Sequence, residues 1–284
     1  MKYKTYIIAE IGINHNGSLD NALKLIDIAA SAGCDAVKFQ KRSPEDCVPH
    51  SQKYLPKNTP WGKMTYINYK HRMEFSEDEY NTIDDHCKDR KIEWSASAWD
   101  LSSLDFLSKY NLPFIKIPSA KLTDHSLLAA AIQSFDKVII STGMSTIEEV
   151  KDAVKFIEEE QNRYNKSIEL EILHCNSAYP SPVDQLNLKA IQTLKDYFPK
   201  YKIGYSGHEL TLGTTVAAVY LGAEILERHI TLDRNMWGSD HSCSVTPWGL
   251  FKLVNGVREL EQAYGDGIIK LEQSEVDAKK KLRG

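Results

Sequence analysis

Short runs of apolar, β-branched residues alternate along the chain with longer segments whose apolar residues recur at helical spacing, and this alternation restricts the fold more than any other feature. The strand-like runs fall at 6–11, 36–40, 92–98, 114–120, 137–143, 169–175, 202–208 and 224–231. Helical segments are read at 18–32, 77–90, 101–109, 124–133, 146–164, 184–197, 211–221 and 247–264. Several carry start signals. Ser145 and Thr146 precede Glu148 and Glu149 at capping-box spacing, Asp20 and Asp124 fall in first turns, and Pro182 precedes a further start. Strict β–α alternation with short connections predicts a parallel sheet, and eight such units predict closure into a single-domain (β/α)8 TIM barrel over residues 1–265. An open doubly wound sheet is the competing arrangement, but the first turn reads GINHNGS and lacks the GxGxxG pattern.

One connection is long. Residues 41–75 follow the second strand and contain four prolines, Trp61 and a run of aromatic residues, which suits either a lid or a local excursion packed on the barrel. The segment 266–284, ending KKKLRG, reads as a charged, solvated tail. With 35 Lys plus Arg against 39 Asp plus Glu, the net charge is -4, so no global basic field exists to hold nucleic acid or an anionic membrane. No apolar run is long enough to span a bilayer and no secretory cleavage pattern opens the chain, so a cytoplasmic enzyme acting on a small molecule is expected. Cys34, Cys47, Cys87, Cys175 and Cys243 are scattered and form no CxxC pair, which argues for reduced thiols, mostly in the core.

In a parallel barrel the strand interiors should be apolar, so polar residues at the carboxyl ends are informative. The ends read Glu10, Lys38 with Gln40, Ser95 with Ser97, Lys116, Ser141, His174 or Asn176, Ser206 with His208, and Glu227 with His229. Side chains at i and i+2 share a face, so each pair can point into the barrel mouth. Lysines are rarely buried alone. Lys38 in AVKFQ and Lys116 in FIKIPSA therefore imply a bound anion or paired carboxylates, with the hydroxyls of Ser97, Ser119, Ser141 and Ser206 able to converge on the same anion. His208 and His229 end adjacent strands about 5 Å apart. They either share a divalent metal, with Mn2+, Fe2+, Co2+ and Zn2+ all suited to imidazole and oxygen ligands, or hydrogen-bond to carboxylates such as Glu227 or Asp240.

The stretches AEIGINHNGS (9–18), AVKFQ (36–40), KIPSA (116–120), STGMS (141–145), LHCNSAYPSP (173–182), IGYSGH (203–208), LERHIT (226–231) and GSDHSCS (238–244) together resemble the catalytic barrel of the sialic acid synthase family. The resemblance runs in order from about residue 6 to 264. It implies condensation of phosphoenolpyruvate with an N-acetylhexosamine or related aldose to give a nonulosonic or other 2-keto-3-deoxy sugar acid. It further implies that Lys38, Ser97, Lys116, Ser119, Ser141, Ser177 and Ser206 surround phosphoenolpyruvate, and that His208 and His229 hold a divalent metal, commonly Mn2+, with Mg2+, Co2+ or Zn2+ as alternatives. Gln40, Tyr179 and Asp240 would line the acceptor sugar, and Glu10 and Glu227 are the implied catalytic carboxylates.

Two departures stand out. Lys121 occupies a position where the family usually has Glu, so it either adds a cation for the acceptor or lies outside the site and pairs with Asp124. The chain also ends where many relatives continue into an antifreeze-like domain that helps bind the sugar from a neighbouring subunit; a homodimer is still an option. Two other functions compete with the synthase reading: a metal-dependent barrel hydrolase or phosphatase, and a silent phosphoenolpyruvate-binding relative.

Overall fold

The structure is a computed structural model and describes residues 4–284. Its strands, in chain order, are β1 (Tyr6–Gly12), β2 (Ala36–Lys41), β3 (Pro56–Thr59), β4 (Gly62–Thr65), β5 (Glu93–Ala98), β6 (Ile115–Ile117), β7 (Lys137–Ser141), β8 (Glu169–Cys175), β9 (Lys202–Gly207) and β10 (Ile225–His229). Eight of them close into a barrel in the order β1-β10-β9-β8-β7-β6-β5-β2, and every pairing in it is parallel. The (β/α)8 expectation is met.

Most helices start on a side chain that satisfies a free backbone N–H, the usual solution to the unpaired first turn. Ser18, Asp100, Asp124 and Thr246 each accept such a bond at the helices Leu19–Ala32, Leu101–Leu107, His125–Ser134 and Pro247–Ala263. Reciprocal capping boxes form at Thr146 with Glu149 and at Ser76 with Glu79. Two elements are shorter than expected. The sixth strand ends at Ile117 because Pro118 cannot donate to the ladder, and Ser119–Lys121 turns as a single 3-10 segment. The expected helix at 184–197 divides into a 3-10 turn, Val183–Gln185, and the helix Ala190–Tyr197.

The barrel interior has two layers. Its floor is an apolar plug of Ile8, Ala36, Phe114, Ile139, Leu173 and Ile225. Two residues further along the same strands, on the same face, stand Glu10, Lys38, Lys116, Ser141, Cys175 and Glu227. Alternate residues such as Ile7, Val37, Phe39, Ile117 and Leu226 face outward into the shell of helices. The strands are therefore apolar on both faces for most of their length and polar only at the inner upper rim.

The long connection proves to be a packed excursion. It holds two short helical turns, Pro44–Cys47 and His50–Lys53, the antiparallel β3–β4 hairpin and the helix Tyr66–Met73. Its aromatic side chains meet the loop after β10: the Trp61 and Tyr69 rings lie 5.7 and 5.3 Å from Trp237. Gly17, at φ +67°, seats its far end, since a Cβ there would lie 2.1 Å from the Arg72 carbonyl oxygen. The segment after Gly265 carries the helix Val276–Arg283 and is almost wholly exposed.

Candidate active site

One cavity of about 260 Å³ opens at the carboxyl ends of the strands, and thirteen of the fourteen residues expected there line it: Glu10, Lys38, Gln40, Ser97, Lys116, Ser119, Ser141, Ser177, Tyr179, Ser206, His208, Glu227 and His229. The fourteenth, Asp240, is outside this lining, with its carboxylate 3.8 Å from His229 Nδ1. Strand register explains the convergence. Glu10 is level with both Lys38 and His229, Ser97 with Lys116, and Ser206 with Glu227.

The lower part of the cavity is a charge layer. Lys38 Nζ lies 2.6 Å from Glu10 Oε2 and 3.7 Å from Glu227 Oε1, and donates to Ser97 Oγ at 2.8 Å. Lys116 Nζ is 3.5 Å from Glu227 Oε2, and Ser206 donates to Glu227 Oε1 at 3.1 Å. Lys38 and Lys116 are each only 2% exposed. The two carboxylates are driven apart in acidity. Burial raises Glu10 to about 7, since Lys38 only partly offsets it and Glu227 adds repulsion. Burial also acts to raise Glu227, but its position between Lys116 and Lys38, with His229 and Ser206 alongside, leaves it below the ordinary carboxylate range. Lys116 is held below its usual value by burial and by Lys38. Ser141 Oγ and Glu227 Oε2 are buried without a hydrogen-bond partner, so the layer has polar capacity left for a guest.

Above this layer lie the histidines. Their ring centroids are 5.3 Å apart, and the Tyr179 ring sits 4.0 Å from that of His208. His208 Nδ1 donates to the Asn176 carbonyl at 2.7 Å, which fixes the tautomer and leaves the Nε2 lone pair free. Burial, with His208 and Lys38 close by, lowers His229 to about 3 and keeps it neutral; its Nδ1 has no hydrogen-bond partner. Burial acts to lower His208, but Cys175, the Asn176 carbonyl and Glu227 outweigh it and lift His208 above the usual imidazole value, so His229 is the neutral member of the pair and His208 would give up its proton to share a divalent metal with it. Among the described residues no group of three or more His, Cys, Asp or Glu is arranged to hold one, so the remaining ligands would be oxygens of substrate and water.

The sequence reading missed some of the lining. Trp99, Pro118, Ala120, Met144 and Cys175 also face the cavity. Cys175, not His174 or Asn176, is the inward residue at the end of β8; His174 points away and bonds the Leu186 carbonyl at 2.8 Å. Gly143 brings a backbone N–H to Ser119 Oγ at 3.1 Å, and a Cβ on it would lie 2.2 Å from Ser177 Oγ. Lys121 pairs with Asp124 at 3.1 Å and does not line the cavity, which decides between its two expected placements.

Anion-holding lysines and hydroxyls beneath a histidine pair, all at the carboxyl-terminal mouth, define a barrel enzyme for a small anionic substrate. The pattern of the NeuB family matches residues 25–269, and the chain belongs to that family. It is 38% identical to the N,N'-diacetyllegionaminic acid synthase of Campylobacter jejuni over 96% of this chain and 81% of that one. It is 42% identical to the N-acetylneuraminate-9-phosphate synthase of Drosophila melanogaster over 89% of this chain and 67% of that one. The crystal structure of an N-acetylneuraminic acid synthetase from Leptospira borgpetersenii in complex with citrate superposes with a TM-score of 0.84 at 31% identity, covering 99% of this chain and 93% of that one. Membership makes the chain a sugar-acid synthase of the phosphoenolpyruvate-dependent, carbon–carbon bond-forming class, whose members are in general metal-dependent. No helix among the described residues is long and apolar enough to cross a membrane.

Proposed function

We propose that this synthase condenses phosphoenolpyruvate with an N-acetylmannosamine-like hexosamine or related aldose in the cytoplasm, giving a nonulosonic or other 2-keto-3-deoxy sugar acid and phosphate. The supporting observation is the pair of buried ammonium groups, Lys38 and Lys116, beneath a ring of hydroxyls. Phosphoenolpyruvate brings a carboxylate and a phosphate into an apolar barrel, and only such a layer offsets that charge. Lys38, Lys116, Ser97, Ser119, Ser141, Ser177 and Ser206 would bind it, with Ser119 held by the Gly143 N–H, while Gln40, Tyr179 and Asp240 orient the acceptor.

C3 of the enol attacks the aldehyde carbon, positive character develops at C2, water adds there, and the tetrahedral intermediate expels phosphate by carbon–oxygen cleavage. Glu227, which keeps its charge, is suited to stabilise C2 and to take a proton from the water. Glu10, which holds a proton near neutrality, is suited to give it to the aldehyde oxygen. A divalent ion held by His208 and His229, Mn2+ in this reading, would polarise that aldehyde as a Lewis acid. Incubation with phosphoenolpyruvate, Mn2+ and a panel of hexoses and hexosamines should release phosphate only when an acceptor is present. Release without acceptor, or none with any aldose, would reject the assignment.

A further inference from the structure

His208 and His229 lie at the ends of neighbouring strands, but the register between β9 and β10 stops one residue below them, at Gly207 and Arg228. Beyond that level a pair of charged side chains joins the two strand ends. Arg228 precedes His229 and Glu209 follows His208; their side chains are 1% and 0% exposed and form an ion pair of 3.2 Å. Arg228 grips twice. Its Nη1 donates to Glu209 Oε1, and its Nη2 donates to the Glu209 backbone carbonyl. The carboxylate accepts three further bonds: from Thr214 at 3.1 Å and Thr215 at 2.6 Å on Oε1, and from Tyr205 at 2.9 Å on Oε2. Arg228 Nη1 also reaches the Thr211 carbonyl at 3.2 Å and the Thr215 hydroxyl. The pair folds over Gly207, where a Cβ would lie 2.5 Å from Glu209 Oε2 and 3.1 Å from Arg228 Cδ.

Neither Glu209 nor Arg228 lines the catalytic cavity, so the reaction proposed above does not use them. Stability explains them poorly too, because desolvating two charges tends to cancel their attraction, and apolar residues of the same size would do as well. What the pair supplies is geometry. One planar peptide unit separates each partner from a histidine, so tying Glu209 to Arg228 constrains the two imidazoles, whose centroids are 5.3 Å apart. Two imidazoles that share one ion tolerate little error in that spacing. We propose that Glu209 and Arg228 are positioning residues: they brace the two strand ends so that His208 and His229 stay at metal-sharing distance. This rests on the reading that the two histidines hold a divalent ion.

Titration of metal-free enzyme with Mn2+, reading the free ion by electron paramagnetic resonance, separates the brace from the metal site. Arg228→Lys keeps the charge but cannot grip the carboxylate and the carbonyl together, and Glu209→Gln keeps the shape without the charge. Each should bind Mn2+ about 10- to 100-fold more weakly than wild type, the usual effect of losing a group that orients a metal ligand. Phosphoenolpyruvate, titrated calorimetrically without metal, should bind both variants as it binds wild type. Wild-type Mn2+ affinity in a folded variant overturns the brace and leaves the metal site standing. An equal loss of Mn2+ and phosphoenolpyruvate affinity overturns it too, because that is a general loosening of the barrel. Where a variant does not fold, Thr215→Val decides: it removes one hydroxyl from the pair, keeps both charges and must still weaken Mn2+ binding, so wild-type affinity there overturns the brace. No Mn2+ bound by wild type, or full binding by His208→Ala, overturns the metal reading and the brace with it.

Discussion

Lys38 and Lys116 occupy equivalent places in the sequence, each two residues beyond a plug residue, yet their surroundings differ. Lys38 is in contact with Glu10 and Ser97, whereas the nearest carboxylate to Lys116 is 3.5 Å away and Lys38 repels it. Removing one partner of a tight buried pair typically costs about 3–5 kcal/mol. Lys38→Met should therefore lower the melting temperature markedly and Lys116→Met only slightly. Both should weaken phosphoenolpyruvate binding by about 100-fold or more, since each strands a substrate charge in the barrel. Thermal melts and calorimetric titration of both variants read this out; equal destabilisation would contradict it. Lys70 supplies a pH signature. Burial, with Arg42 and Lys57 nearby, lowers it to about 8 against the ordinary 10.5, so charge on Lys70 costs the folded state in full below about pH 8, and the cost fades as pH rises to 10.5. Lys70→Gln should be more stable than wild type at pH 7, with the difference shrinking across that window; a pH-independent difference in melting temperature would refute the assigned cause.

At the level of elements, the turn after β7 shows how backbone completes a site. Gly143→Ala should place a methyl group against Ser177 and Ser119, cutting kcat/KM for phosphoenolpyruvate by about 100-fold with little change in melting temperature. A variant with wild-type kinetics would show that the placement of Ser119 and Ser177 by this turn does not matter to binding. Alternation and strand-end polarity made the barrel and most of this site readable, because period two fixes which side chains share a face. Parity also explains the error on β8. Counting from the inward Leu173 selects Cys175, but a small thiol carries no polar signal in sequence, whereas the outward His174 does. The β3–β4 hairpin escaped notice because neither strand shows alternation of apolar residues, and both are short and largely exposed.

For the whole molecule, closure of the sheet is what turns scattered polar residues into one reaction chamber. The apolar plug seals the floor, the charge layer stands on it, the histidine pair lies above, and the excursion packs against the loop after β10. This arrangement suits a reaction that must keep phosphoenolpyruvate from simple hydrolysis until an aldehyde arrives. The most direct test follows the bridging oxygen of phosphoenolpyruvate, labelled with oxygen-18, by phosphorus NMR during turnover with an accepted aldose. Carbon–oxygen cleavage after condensation predicts that the label leaves with the inorganic phosphate. Label retained in the organic product would mean phosphorus–oxygen cleavage, as in a phosphatase, and would contradict the assigned chemistry.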